Sequence, residues 1–494
     1  MARIARVDWI LKQPMVASLP ELRSGNLEVS RVRIPPTMDV PITPRVRRLL
    51  DSAPMRRLAS LSQLGLVSLV YPGATHSRLE HSLGVYANAV SLLRRLQDQG
   101  RQSEVADPVA QQAFLVAALV HDAGHWPFCH PIEDMGNALD YCDEGPIMKH
   151  EARVDAMLTD GPLASCLAKD WDCSADDVSA ILCPNTIGRR RRLQISPSSI
   201  SFYASCLSGP IDIDKLDYLQ RDSLHAGVPY GRNFDAERLI GSLVQHPHEP
   251  RLAINEKGRT AAEMMVFGRY VMFSEVYWHH TVRAATAMLQ RVIFELHYAG
   301  HHEHAVQGKS IDVRHWANDD DQQWIERLRT AARESQDVTM IQLVEGLFGP
   351  TRQLLKRVAQ FNAESGDSIH SMLARKPYNW LVGCSNYLTN RMNDVLTKPL
   401  PSSLVLIDAP PVKLEVDINI DVIDRSDRSM KLGDVSPVAS VLANRQFDNH
   451  VKRVRVFVPE SVRSELRRST DDLNGLISRW LLEVVNDDFG SMEF

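Results

Sequence analysis

Paired cysteines are missing from the 494-residue sequence: it has seven cysteines, an odd number, scattered from Cys129 to Cys384 with no CxxC among them. That excludes a disulfide framework or a zinc knuckle as the organising device and leaves reduced, packed thiols as the expectation. No apolar run is long enough to span a bilayer. The opening MARIARVDWILKQ has neither a long apolar core nor a cleavage pattern, so the expected compartment is the cytoplasm and no membrane partner is expected. A large excess of either charge is lacking as well. With 56 Lys and Arg against 61 Asp and Glu, the net charge of −5 disfavours a nucleic-acid coat protein, although it leaves room for a local basic site. Internal repeats and low-complexity stretches are absent.

What is present is a hydrophobic content of 44% with 24% charged residues, enough for a core of ordinary size, and one stretch that organises the rest. The apolar run Phe114–Val120 leads directly into His121-Asp122-Ala-Gly-His125-Trp-Pro-Phe-Cys-His130. A buried helix that ends in an adjacent His-Asp pair offers an imidazole nitrogen and a carboxylate oxygen from one rigid point. His81, in RLEHSLG, supplies a third donor, and Asp214, in IDIDKLDYLQRD, a fourth. Two imidazoles and two carboxylates suit a divalent ion of intermediate hardness, such as manganese, iron or zinc, with positions left open for water and a phosphate oxygen.

The helical period sets the architecture. Leu83, Ala87, Val90, Leu93 and Leu96 form one buried face after His81, while Asp214, Asp217, Tyr218 and Arg221 fall on one face of a helix beginning near Ile211. This spacing places Tyr218 and Arg221 in the same cavity as Asp214. One long helix is expected from Thr260 to Leu296, and Asp319-Asp320-Asp321 reads as a solvated turn. Alternation then predicts strands over Val412–Val422 and around Val454–Val458, followed by a single helix from Glu460 to Val485. The expected fold is mainly α: an N-terminal arm over 1–40, a helical bundle over 41–305 and a smaller helical and α+β lobe over 306–494. The run Arg189–Arg192 reads as a solvated loop. The cluster His297, His301, His302 and His304 reads as an adventitious metal binder.

The set QLG at 63–65, PGATHSRLEHSLGV at 72–85, HDAGHWPFCH, Lys149-His150-Glu151 and DIDKLDYLQRD resembles the HD-domain phosphohydrolases. Within them it is similar to the deoxynucleoside triphosphate triphosphohydrolases, including the HD core of mammalian members that carry a SAM domain; no SAM domain is expected here. The resemblance spans about residues 30 to 300 and implies an HD-domain helical core and one divalent ion (Mn, Fe, Zn or Mg) held by His81, His121, Asp122 and Asp214, with additional Mg accompanying the triphosphate. It implies that His125, His130 and His150, together with Asp122, carry the catalysis, with Glu151 placed to orient His150. It also implies phosphate contacts from Arg78, Lys215 and Arg269, sugar 3′-hydroxyl contacts from Gln63 and Asp222, and packing of Tyr218 and Tyr277 against sugar and base. The implied reaction is hydrolysis of a dNTP to deoxynucleoside and inorganic triphosphate by a homo-oligomer, a dimer or tetramer. At the family's effector position Asp51 matches, but Arg56 and Ala59 depart from it, which puts guanine-nucleotide activation in doubt. The alternatives are a nuclease or phosphodiesterase of the same superfamily, acting on nucleic acid or a cyclic nucleotide, and a nucleotide sensor without turnover.

Overall fold

The computed structural model describes residues 19–23, 29–36, 38–98, 106–128, 130–139, 148–184, 192–299, 310–363, 368–374, 376–409, 419–441 and 451–486. The fold is mainly helical with small sheets. A hairpin of β1 (Ser30–Ile34) and β2 (Met38–Ile42) leads into helices that include α1 (Arg78–Asp98), α2 (Pro108–Val120), α3 (His150–Thr159), α4 (Ile213–His225), α5 (Arg259–Met272) and α6 (His280–His297).

Helix α2 forms the centre. Asp107 caps it by accepting from Val109 N, Pro108 occupies the first turn, and every residue from Ala110 to Val120 is buried. A helix that is apolar all round can exist only inside a bundle. The predicted face of α1 packs against it, with Val90, Leu93 and Leu96 buried in the same apolar cluster as Phe114 to Val120 and as Leu216 and Leu219 of α4. Asp212 caps α4 by accepting from Lys215 N at 2.7 Å. The start of this helix is thereby fixed, and its first turn carries Asp214.

A second apolar cluster gathers Ala284 to Leu296 of α6, the helices α7 (Asp321–Glu334), α8 (Val338–Phe348) and α9 (Tyr378–Asn393), and a three-stranded sheet. Strands β3 (Leu243–Gln245), β4 (Leu252–Asn255), β5 (Lys356–Phe361), β6 (Leu406–Asp408), β7 (Asp421–Ile423), β8 (Ser429–Lys431) and β9 (Val454–Val458) complete the strand set among the described residues. In the three-stranded sheet β9 is central, antiparallel to β5 and β6. The other sheet runs β3-β4-β7-β8. Trp126 and Phe128, from the loop after the His-Asp pair, are buried in the second cluster although Ala123 belongs to the first.

Several expectations need correction. The long helix over 260–296 is broken: α5 ends at Met272, Phe273–Tyr277 form a π-helical turn, and His279 caps α6 by accepting from Thr281 N. The hydrophobic period runs through this point, but a π turn rotates the residues beyond it about the helix axis, and here it directs Tyr277 towards Asp222. The last helix is two, α10 (Glu460–Ser469) and α11 (Leu473–Asn486). Of the strand expected over 412–422, residues 412–418 lie outside the described residues, and β7 begins at Asp421. Arg189 to Arg191, Cys129, Cys142 and His301 to His304 also lie outside them. Cys166, Cys173, Cys206 and Cys384 are free thiols, as expected. No helix among the described residues is long and apolar enough to cross a membrane.

One buried ion-pair knot joins α6 to the sheet. Asp408 on β6 takes Arg283 at 2.5 Å and lies 3.7 Å from Arg455 of β9. Removing the carboxylate strands two guanidinium groups in a buried setting, so Asp408→Ala is expected to cost about 3–5 kcal/mol, read as a lowered midpoint in chemical denaturation.

Candidate active site

The side chains of α1, α2 and α4 converge where these helices meet. His81 lies in the first turn of α1, His121 and Asp122 come directly after the last turn of α2, and Asp214 is in the first turn of α4. His81 Nε2 is 3.3 Å from His121 Nε2 and 3.0 Å from Asp214 Oδ1; His121 Nε2 is 3.8 Å from the same oxygen. Asp122 Oδ1 lies 3.4 Å from His121 Nε2, and its Oδ2 lies 4.0 Å from His81 Nε2. Ligand bonds of about 2.0–2.2 Å in tetrahedral or octahedral geometry place neighbouring donor atoms roughly 2.9–3.5 Å apart. His81, His121 and Asp214 therefore form a group that could hold a cation, with Asp122 beside them.

The far ring nitrogens fix the orientation. His121 Nδ1–H donates to Ala118 O at 3.0 Å, and His81 Nδ1–H donates to Asp217 at 2.8 Å. In each ring Nε2 is left as the electron-pair donor facing the centre. Burial pushes the His81 imidazole down, but hydrogen bonds to Asp214 and Asp217 outweigh it and carry the pKa up to about 10; a cation at Nε2 would take the place of that proton. Burial likewise opposes ionisation of Asp122, but the charges of His121 and Arg78, with His125, hold it well below the usual range.

Asp217, on the same face of α4 as Asp214, is the main residue that sequence reasoning underrated. It is clamped by Arg221, whose Nε and Nη2 donate to it at 2.8 and 2.7 Å. Arg221 therefore does not line the cavity; it is buried behind Asp217 and also donates to Glu80 at 2.6 Å. The close approach depends on Gly84. A Cβ there would lie 1.9 Å from Asp217 Oδ1 and 2.4 Å from Arg221 Nη2.

His125, His130 and His150 also meet. The rings of His125 and His150 stack at 3.9 Å and 17°, and His130 stands 5.2 Å from His125. Their nitrogens come within 4.8 Å of one another, a spacing that by itself would admit a second ion. The stacking argues against one. Parallel imidazoles carry their in-plane lone pairs side by side, so they cannot converge on a shared cation. Glu133 binds this group instead, 3.1 Å from His150 Nδ1 and 3.4 Å from His130 Nδ1, and it accepts from His150 N at 2.9 Å. Sequence reasoning missed Glu133; its signal was its spacing three residues after His130. Glu151 stands 3.4 Å from His150 Nε2. Gly124 admits the His150 backbone, since a Cβ there would lie 2.1 Å from His150 O.

The protonation states separate. Burial and the charge of Arg78 hold the His125 imidazole well below its ordinary value. Burial also lowers His150, but its bond to Glu133 prevails and raises it. Burial would push Glu133 up, yet hydrogen bonds from His130 and His150 leave it far below the carboxylate range.

The remaining predicted residues surround this centre. Arg78 donates to Asp122 Oδ2 at 2.6 Å. Lys215 is held at 2.5 Å by Asp212. Arg269 is buried, and its side chain has neither an ion pair nor a hydrogen bond among the described residues, although its charge reaches Lys215 and Tyr218. The rings of Tyr218 and Tyr277 stand edge to face at 6.5 Å, and Tyr277 OH donates to Asp222 at 2.7 Å. Gln63 precedes Gly65 in a loop that the second cluster secures. Asp321 accepts from Ser62 N and Oγ at 2.9 and 2.7 Å and from Phe128 N at 3.4 Å. The expected solvated turn is thus a structural latch: Asp320 caps α7, Asp319 pairs with Arg327, and Asp321 faces inward. Sequence alone could not show this, because the partners lie about 200 residues or more away. A cleft of about 930 Å³ lies apart from this centre between the start of α6, β5 and α10, and none of the predicted site residues lines it.

Metal analysis is expected to give one ion per chain, unchanged in His130→Ala, whereas Asp217→Asn lowers affinity about 10- to 100-fold in chelator competition. In the metal-free protein, NMR titration is expected to place His150 above 6.5, and Glu133→Gln to bring it down. Linkage sets the sign. The raised His150 supports the fold fully below 6.5 and loses that support as pH rises through its folded value; the depressed Glu133 does so fully above 4.5 and loses it on acidification.

With this geometry in place, comparison with known proteins identifies the regions involved. Residues 78–200 match the HD domain and residues 234–478 the HD associated region. The Bacillus subtilis protein YwfO is 32% identical over 259 residues, covering 51% of this chain and 53% of that protein. The deoxynucleoside triphosphate triphosphohydrolase SAMHD1 of Gallus gallus is 32% identical over 219 residues, 41% of this chain and 34% of that protein. The chain thus spans about half of the first relative and a third of the second. A crystal structure of a hypothetical protein from Aquifex aeolicus superposes with a TM-score of 0.63 at 24% identity, over 89% of this chain and all of that one, which shows the same fold. The chain thus carries an HD domain followed by an HD associated region, and His81, His121 and Asp122 of the HD domain meet Asp214 from the segment between the two.

Proposed function

We propose that the enzyme hydrolyses deoxynucleoside triphosphates to deoxynucleoside and inorganic triphosphate. The observation that carries the reading is Arg269, a largely buried arginine with no carboxylate partner among the described residues and with its Nε unbonded, beside Lys215 and Tyr218. With no carboxylate to neutralise it, this guanidinium is free to bind an anionic ligand through its terminal nitrogens. The Gallus gallus relative, a deoxynucleoside triphosphate triphosphohydrolase, points the same way.

A divalent ion held by His81, His121, Asp122 and Asp214 would supply Lewis acidity and a water of lowered pKa. The other tasks belong to side chains. Arg269 and Lys215 bind the phosphates and counter their charge. His150, kept protonated by Glu133, holds a proton at an imidazole nitrogen for the leaving oxygen, with His130 beside it sharing the same carboxylate. His125, held neutral, stacks on His150 and fixes its plane. Gln63 and Asp222 receive the sugar 3′-hydroxyl, and Tyr218 and Tyr277 pack on the sugar and base. A tyrosine packed under the ribose excludes a 2′-hydroxyl sterically.

The test is product analysis of the manganese-loaded protein with each dNTP, the matching NTPs and single-stranded DNA. Deoxynucleoside with intact triphosphate is expected, absent in Asp122→Ala. Arg269→Ala is expected to lower kcat/KM roughly 100-fold or more while retaining bound metal. Shortened DNA with untouched dNTPs would establish the nuclease instead.

A further inference from the structure

His76 has no part in the metal centre or the histidine group, yet it joins the two residues assigned to the sugar. Its Nε2 lies 2.9 Å from Asp222 Oδ1, while its own carbonyl accepts from Gln63 N at 2.9 Å. The Ser62–Ser77 bridge flanks that second contact. Asp222 is held from the other side by Tyr277 OH at 2.7 Å on Oδ2. The imidazole stacks on His225 at 4.3 Å and 15°, and His225 Nε2 is fixed at 3.0 Å by Glu80, which Arg221 also holds.

Two features argue that an imidazole is needed here for more than packing. The ring is buried, and its Nδ1 has no hydrogen-bond partner among the described residues. An apolar side chain would fill the space without leaving a buried nitrogen unsatisfied. The polar requirement therefore comes from Asp222, which the ring orients. Each Asp222 oxygen accepts one protein hydrogen bond, and a carboxylate oxygen has a further lone pair to offer. With both oxygens tethered, those lone pairs are held in fixed directions.

We propose that His76 is a positioning residue that sets the enzyme's preference for a 3′-hydroxyl by aiming the Asp222 carboxylate at the sugar. The inference rests on the deoxynucleotide reading of the site. A substitution at position 76 leaves the backbone bond to Gln63 in place, so it isolates the effect on Asp222.

The experiment compares the manganese-loaded wild type with His76→Ala, His76→Gln and His76→Asn, using a 2′-deoxynucleoside triphosphate and its 2′,3′-dideoxy counterpart. Metal content and thermal melting are measured for each protein. The wild type is expected to prefer the 3′-hydroxyl substrate. His76→Ala is expected to lose roughly tenfold or more of that preference through KM, with turnover of the dideoxy substrate and metal content unchanged. Gln, whose amide nitrogen reaches as far as Nε2, is expected to retain the preference. Should the alanine variant not fold, the shorter Asn takes its place with the same expected loss. Equal loss on both substrates would overturn the role of His76 and leave the nucleotide reading standing. Turnover of neither nucleotide by the wild type would overturn both.

Discussion

The hydrogen bond between His81 and Asp217 ties the metal centre to the bundle. It requires α1 and α4 to approach so closely that only a glycine fits at position 84, because the Asp217 carboxylate and its Arg221 clamp occupy the space of a side chain. Once that contact forms, His81 Nε2 faces inward, Asp214 arrives from the next turn of the same helix, and α2 delivers His121 and Asp122 to meet them. Such a concentration of buried charge survives because every member has a partner: Arg221 for Asp217, Arg78 for Asp122, and the imidazoles for Asp214. Arg269 departs from this pattern: it has no carboxylate partner among the described residues and lies over the Phe273 ring.

Around the centre the chain sorts its histidines by environment. His125 and His150 stack on each other but their pKa values shift in opposite directions, because burial and Arg78 lower one while Glu133 raises the other against burial. Environments that push neighbouring groups apart divide acid from base roles between chemically identical side chains. The second apolar cluster contributes as well. Asp321 pins the loops before Gln63 and after the His-Asp pair, while Arg57 donates to His125 O at 3.0 Å and to Asp319 O at 2.9 Å. The loops that frame the site therefore depend on residues more than 190 positions downstream.

Much of this was legible in the linear sequence. The apolar run before His121 specifies a fully buried helix, and the 3.6-residue period after His81 specifies the face that packs on it. Helical spacing also put Asp214 and Asp217 on one face. It could not tell that one points to the ion site and the other to a histidine ring, since that depends on where the neighbouring helix lies. Arg221 was misplaced for the same reason. The break at Phe273–Tyr277 was missed because apolar residues continue on both sides of it, and its effect appears in the contact of Tyr277 with Asp222.

The sequence by itself therefore determined the helical class, the donor types and their order along the chain, since periodicity and residue chemistry are local properties. Tertiary structure decided which donors converge on one another and which face a ring nitrogen, and which histidine has its pKa raised and which lowered. It also decided that an aspartate in an apparently solvated turn latches the site. These outcomes depend on distances between residues far apart in sequence and on the dielectric environment that burial creates, neither of which is encoded in spacing along the chain.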